Sequence, residues 1–309
     1  LTHLGVDDDV KLVKNFEAID LVVGGHSHTT LPEAIFQKNR EGRQIPIVQA
    51  GNHGEYVGNL LVDVTRGKPL KIVSYRLEPV FSHGPRDAGM ERLTQDARRQ
   101  LEEDYGADWL YKVVGNAETP LERQKESGYP TPWSKLVTDA ILDSGKANVS
   151  LDVPPFTGLN QPAGPITRER LFTLYPRMFD FKDRFGWSTW TSNVRGWILK
   201  LVLVEALKRN VVFGVSGVTY DIVRENGKRK VKNVKIGGSS VKILRNYKLA
   251  VPEGVGRGAI EISVFLNLLF KKSTDTKIPI WMALEQRLRK QGGVVRPFET
   301  VSNRVPALR

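Results

Sequence analysis

The stretch Ile19-Asp20-Leu21-Val22-Val23-Gly24-Gly25-His26-Ser27-His28-Thr29 joins a short apolar run to a turn that contains two histidines. The apolar run predicts a buried strand of an α/β layer. In open α/β sheets sites form at strand ends, and neutral imidazole is a common ligand of divalent transition metals. The pattern therefore indicates a metal site at His26 and His28. A histidine in a loop is more often solvated or hydrogen-bonded, and the spacing alone leaves both interpretations open.

The flanking segments continue the α/β pattern. Leu1–Gly5 predicts a strand end and a loop, and an acidic start at Asp7–Asp9 leads into an amphipathic helix with apolar residues at helical spacing. A second strand is predicted at Ile45–Gln49, and a hairpin is predicted at 56–64 and 70–79. Polar residues therefore collect at the ends of predicted strands.

A helix predicted at Asp87–Asp104 has apolar residues at helical spacing with charges between them, as expected of a connecting helix. We accordingly predict three segments: residues 1–82, a connecting helix within 83–109, and a second domain at 110–309. The second domain is predicted to contain a strand near Tyr111–Val114, helices at Pro132–Ser144, Val194–Lys208 and Ile280–Gln291, and a loosely ordered tail at Pro297–Arg309.

Composition excludes several classes of protein. The chain has 309 residues, 40% apolar and 26% charged, as expected of a folded soluble protein. It has no cysteine, which excludes disulfides and thiolate metal ligands, and no apolar run reaches the roughly 18 residues of a membrane helix. The net charge of +12 is densest in the predicted hairpins between Arg224 and Lys248. Aromatic residues are almost absent there, so nucleic-acid binding is not favoured.

A family resemblance adds to this pattern. Five segments carry this resemblance through their order: Thr2-His3-Leu4-Gly5, a helix, the turn 24–29, Ile47–Gly51 and Gly58-Asn59-Leu60. In this order, residues 1 to about 80 resemble the closing third of the calcineurin-like metallophosphoesterase domain of 5′-nucleotidases. The resemblance implies the C-terminal portion of a four-layered α/β/β/α metallophosphoesterase domain, followed by a 5′-nucleotidase-type α+β C-terminal domain. The second domain resembles the family through Glu126, Trp133–Ala140, Ala147–Leu151, Gly164–Thr167, Leu174–Pro176 and Val215–Tyr220.

The resemblance also implies two divalent metal ions, zinc or manganese, with His3 and His26 as ligands of one and His28 as a ligand of the other. It places the other ligands and the catalytic histidine upstream of His3. We therefore expect an N-terminally incomplete chain with a partial site that binds metal weakly and is inactive alone, and we assign no catalytic residue. Asn52-His53 follows the second strand, and we interpret it as part of a loop near the site without a catalytic role.

The substrate-binding residues stay unknown at this point. The base-stacking aromatics and arginine of the family are not evident in the corresponding stretches Asp152–Gly158, Tyr175–Arg177 and Pro252–Arg257. Arg177 and Arg257 are predicted to be surface or ion-paired residues, with binding of an anionic group as the alternative. For the aromatic cluster we favour core packing over a ligand cleft. That cluster consists of Trp187, Trp190 and Trp197 with Phe179 and Phe185.

By resemblance, the expected function is metal-dependent phosphoester hydrolysis of the 5′-nucleotidase type in nucleotide catabolism, with a small phosphorylated substrate that is most simply a nucleotide. The expected location is the periplasm or another extracytoplasmic compartment. Two alternatives stay open. One is a thiosulfohydrolase of sulfur oxidation, which shares the metal domain. The other is a non-catalytic binding module that uses the basic hairpins to hold an acidic partner, whose binding would weaken steeply with salt.

Overall fold

A computed structural model describes residues 1–81, 83–122, 131–153, 158–177, 185–208, 213–257 and 273–296. Glu126, Pro154–Thr157, Phe179 and the tail Pro297–Arg309, which the sequence analysis singled out, lie outside the described residues. The chain divides into two compact units, Leu1–Gln95 and Asp96–Arg309.

The helices of the described residues are α1 (Val6–Asn15), α2 (Ala88–Tyr105), α3 (Pro132–Gly145), α4 (Arg168–Leu174), α5 (Gly196–Lys208), α6 (Glu253–Gly256) and α7 (Ile280–Lys290). The strands are β1 (Val22–Val23), β2 (Ile35–Lys38), β3 (Gln44–Val48), β4 (Tyr56–Asp63), β5 (Lys71–Pro79), β6 (Val113–Ala117), β7 (Val149–Asp152), β8 (Gly164–Thr167), β9 (Ser188–Arg195), β10 (Gly214–Ser216), β11 (Val218–Glu225), β12 (Lys228–Ile236), β13 (Ser239–Ser240), β14 (Asn246–Pro252), β15 (Thr274–Pro279) and β16 (Val294–Val295). Among these helices none has the length and apolarity needed to span a membrane.

The first unit has a three-stranded sheet in the order β1-β3-β2, in which β1 runs parallel to β3. Helix α1 buries Val13 against Val22, Ile45 and Ile47, which form a small core. Strands β4 and β5 form a separate antiparallel hairpin, as predicted. The strand predicted at Ile19–Val23 is shorter than expected, because only its last two residues pair with β3.

The second unit is built on a five-stranded sheet in the order β10-β7-β14-β9-β15. One large cluster of buried side chains includes Trp133 and Leu136 of α3, Leu171 of α4 and Leu284 of α7. A second cluster includes Leu199 and Val202 of α5 together with residues of the sheet and of the hairpin β11-β12. Two cores thus stabilise this unit, each built around different helices.

Helix α3 begins where its sequence predicts. Thr131 is the N-cap, and its side chain accepts a hydrogen bond from Ser134 N. In return, Thr131 N donates to Ser134 Oγ. Pro132 occupies the first turn. This capping box satisfies donors that a helix N-terminus leaves free. The predicted helices at 132–144, 194–208 and 280–291 correspond to α3, α5 and α7, while β2 and α4 were not predicted.

The buried indole of Trp133 supplies a test of the first core of the second unit. Trp133 is 0% exposed, so Trp133→Ala should lower the free energy of unfolding by about 3–5 kcal/mol through lost burial and a residual cavity. Trp197, which is 43% exposed in α5, supplies the matched control. Trp197→Ala should cost about 1 kcal/mol or less. Urea denaturation measures both, and equal losses would contradict this description of the core.

Candidate functional site

The turn after β1 holds its two histidines in an uncommon backbone conformation. His26 has φ 73° and His28 has φ 56°, both in the left-handed region that side chains with a Cβ rarely adopt. Such residues concentrate at functional sites, where the surrounding structure has to stabilise them. Gly24 N donates to Val48 O at 2.8 Å, and Val6 N donates to Ser27 Oγ at 3.2 Å. The turn is thereby joined to β3 and to the start of α1.

The structure brings two of the three predicted ligands together. The rings of His3 and His26 meet edge to face, with their centroids 5.1 Å apart. Gly25 leaves room for this approach, because a Cβ at its position would lie 3.0 Å from His3 Nδ1. Both histidines are exposed, so both rings are accessible to an ion from solvent.

His28 contacts a different pair of residues. Its Nδ1 lies 3.1 Å from Asn52 Nδ2, and its ring centroid lies 6.3 Å from that of His53. The order of residues in the sequence placed Asn52 and His53 near the site but did not predict contact with His28. His53 also has a left-handed backbone, with φ 54°.

The histidines fit part of a transition-metal site. Metal–nitrogen bonds are about 2.0–2.1 Å long, so two imidazoles at the separation of His3 and His26 can face one ion after small adjustments. Over the described ranges, however, no group of three or more His, Cys, Asp or Glu side chains is close enough together to hold a metal ion. Imidazole nitrogen is therefore a suitable ligand for a metal ion. The described structure brings His3 and His26 together, whereas His28 contacts Asn52 and His53.

In the second unit, Asp152 at the end of β7 is a buried acid whose pKa is raised. It is 1% exposed and accepts a hydrogen bond of 2.8 Å from Tyr175 Oη. Burial raises the pKa of Asp152 from 3.8 to about 7, against the opposing effects of that hydrogen bond and of nearby Arg177. Burial and the neighbouring carboxylate also raise the pKa of Tyr175 well above its usual value. Sequence alone gave no signal of this pair.

Arg257 and the tryptophans before and within β9 have structural partners. Arg257 forms a 2.5 Å ion pair with Glu253 and lies over the ring of Trp190 at 5.5 Å. Trp187 packs so tightly on α6 that a Cβ at Gly254 would lie 2.2 Å from its ring. Trp187 belongs to the first core cluster and Trp190 packs against the second, which confirms core packing for these two and an ion pair for Arg257. For Trp197 and Phe185 the prediction of core packing is wrong, because both side chains are exposed.

The basic hairpin β11-β12 is partly neutralised by its own carboxylate. Lys228, Lys230 and Lys232 are all exposed on β12. Lys230 and Lys232 both pair with Glu225 of the facing strand, and these two lysines lower the pKa of Glu225. Pairing within the hairpin reduces the positive charge that it offers to an acidic partner.

Comparison with known proteins places this chain beside nucleotide-cleaving enzymes. A family model described as "5′-nucleotidase, C-terminal domain" matches residues 113–267. A trifunctional nucleotide phosphoesterase protein of Bacillus subtilis is 24% identical over 96% of this chain, which spans 20% of that protein. A Protein 5NUC of Lutzomyia longipalpis is 25% identical over 96% of this chain, which spans 60% of that protein. The chain thus spans three fifths or less of these relatives.

Solved structures share the fold. A 5′-nucleotidase precursor of Thermus thermophilus superposes with a TM-score of 0.74 at 21% identity, over 98% of this chain and 62% of that one. A sulfate thiohydrolase of the same organism gives a TM-score of 0.65 at 20% identity, over 98% of this chain and 55% of that one. At such identities the likeness concerns the fold, and it confirms the predicted fold class.

The Asp152–Tyr175 pair predicts a pH-dependent stability. Because the pKa of Asp152 is higher when folded (about 7) than the ordinary 3.8, the stabilisation from its proton is complete below pH 3.8 and is lost as pH rises through 7. Between pH 5 and pH 8 the unfolding free energy should fall by about 2–3 kcal/mol from this group. Asp152→Asn keeps an acceptor for Tyr175 and should remove that part of the slope.

Urea denaturation at both pH values measures this effect. Asp104→Asn, at an exposed position of α2, is the matched control and should keep the wild-type slope. A slope that Asp152→Asn leaves unchanged would contradict the assignment.

Proposed function

Because this chain belongs to the 5′-nucleotidase family, we propose that it forms part of a metal-dependent hydrolase that removes phosphate from nucleoside 5′-monophosphates. The observation that carries the proposal is the contact of His3, which precedes α1, with His26, which lies on the turn after β1 and has a left-handed backbone. Hydrolase chemistry is the common property of the named relatives, and the nucleotide substrate is taken from their names.

Each histidine has a proposed role in a two-metal site. His3 and His26 would bind one divalent ion, and His28 would bind the second. Two such ions, zinc or manganese, polarise phosphate oxygens and neutralise charge that develops during hydrolysis. Asn52 would hold the ring of His28 by the contact at Nδ1. Such a site needs more ligands than three histidines, so the proposal gives this chain only a part of it and assigns no catalytic residue.

The second domain is proposed to recognise the substrate. In this proposal residues 1–82 belong to the metal domain, 83–109 form the connection, and 110–309 form the domain that contacts the nucleotide. A net charge of +12 favours an anionic substrate. We further propose a role in nucleotide catabolism in the periplasm or outside the cell.

A sulfate thiohydrolase activity is the second candidate, because an enzyme of that name shares the fold. Release of sulfate from S-sulfocysteine, in which hydrolysis leaves cysteine and sulfate, would distinguish it from phosphatase activity. A binding module with a basic surface is the third, based on the exposed lysines of β12. The pairing of Lys230 and Lys232 with Glu225 weighs against it, and a lack of salt-dependent binding to heparin would exclude it.

The proposed activity is tested with the protein expressed from the longest natural reading frame that contains these 309 residues. In the presence of Mn²⁺ or Zn²⁺ we expect release of phosphate from adenosine 5′-monophosphate, with His26→Ala lowering turnover at least about 100-fold, as for loss of a group that stabilises the transition state. Hydrolysis of 4-nitrophenyl phosphate alone would mean a different phosphoester substrate. Inactivity on both esters would contradict the proposal.

The 309 residues by themselves are expected to show no hydrolysis above a protein-free blank with the same metal. His83→Ala, which changes a histidine outside the proposed site, is the control for His26→Ala. Turnover by the 309-residue chain that His26→Ala abolishes would overturn the assignment of only a partial site.

A further inference from the structure

Gln49, which directly follows β3, organises the turn at the end of β1 through its side chain. The residue is 2% exposed. Its Oε1 accepts hydrogen bonds from Ser27 Oγ at 3.0 Å and from Thr29 N at 2.6 Å. Its Nε2 donates to Gly25 O at 3.0 Å. One carboxamide therefore contacts three alternate residues of the turn, and the two histidines occupy the positions between them.

The free energy of these hydrogen bonds is large enough to stabilise the backbone of the turn. A left-handed conformation has a steric cost at a residue with a Cβ, and both His26 and His28 adopt it. The net contribution of one hydrogen bond is of the same order as that cost at one residue, so three bonds from Gln49 can offset the cost at two histidines. Without these three hydrogen bonds, the left-handed backbone of both histidines would be less stable.

The orientation of the carboxamide is fixed by its surroundings. Oε1 faces two donors and Nε2 faces a carbonyl oxygen, so a rotation by 180° would lose all three bonds. Gly24 leaves room for the carboxamide, because a Cβ at its position would lie 3.2 Å from Nε2. Ser27 Oγ also lies 2.9 Å from Thr29 Oγ1 and accepts from Val6 N. Gln49 thus belongs to a network that joins β3, the turn and α1.

We propose that Gln49 is a positioning residue of the metal site, which sets metal affinity without contacting the ion by fixing the backbone that presents His26 and His28. The inference rests on the proposed function, since it concerns the same site. Groups that orient metal ligands typically change affinity when they are replaced, by about 10–100-fold. The chain offers a direct comparison, because Gln44 is the first residue of β3, the strand that Gln49 follows, and its side chain is exposed.

The experiment compares Gln49→Met with Gln44→Met in the 309-residue chain. Methionine has nearly the same length as glutamine and forms none of the three bonds. Co²⁺ is titrated, and its visible absorption bands report both affinity and ligand geometry. We expect weak binding by the wild type, binding at least about tenfold weaker with altered bands for Gln49→Met, and binding within twofold of the wild type for Gln44→Met. Circular dichroism establishes that each variant is folded.

A second variant covers the case in which Gln49→Met does not fold. Ser27→Ala removes one partner of Oε1 at an exposed residue, together with the contacts to Val6 N and Thr29 Oγ1, and should weaken Co²⁺ binding by a smaller factor in a chain that circular dichroism shows to be folded. Wild-type binding that neither folded variant weakens would overturn the role of Gln49 and leave the metal site standing. A wild-type chain without any Co²⁺ absorption would overturn the proposed metal site, and the role of Gln49 with it.

Discussion

The backbone of the turn 24–29 is the constraint on which the rest of the first unit depends. Two histidines in a left-handed conformation are stable only where neighbouring groups offset the steric cost. The parallel pairing of β1 with β3 brings the turn beside Gln49, and α1 adds the hydrogen bond from Val6 N. The small core around Val13 and Ile47 fixes these elements relative to one another. The position of the imidazoles is therefore a consequence of sheet, helix and turn together.

The second unit depends on buried polar groups in a different way. Arg168 and Glu285 are both buried and form a two-pronged ion pair of 2.8 and 3.0 Å. The pairing with Arg168 lowers the pKa of Glu285 against the effect of burial. Asp152 has a neutral hydrogen-bond donor, Tyr175, as its direct partner, and its pKa rises. The pKa values of these two buried carboxylates thus shift in opposite directions: Arg168 outweighs burial at Glu285, whereas burial outweighs the hydrogen bond from Tyr175 and the charge of Arg177 at Asp152.

The chain belongs to the 5′-nucleotidase family. The stretch Pro252–Arg257, which by resemblance corresponds to a substrate-binding segment of the family, makes structural contacts here: Glu253 pairs with Arg257, and Trp187 packs on Gly254. A guanidinium held by a carboxylate has less freedom to bind phosphate. Under the proposed function, recognition of a nucleotide would have to use groups other than Arg257 alone, or to exchange the partner of Arg257 for the substrate.

The sequence by itself determined the long helices, the β4-β5 hairpin, the position of the histidine turn and the family, because apolar periodicity, capping residues and motif order are local properties. Helix α3 is an example, since Thr131, Pro132 and Ser134 specify its start without help from the rest of the chain. The sequence did not predict that the strand expected at Ile19–Val23 is limited to its last two residues, because strand length is set by pairing with β3. Only the tertiary structure decided that His3 meets His26, that His28 meets Asn52, and that Gln49 bonds three residues of the turn. These contacts join residues twenty or more positions apart, and no local pattern encodes the distance between them.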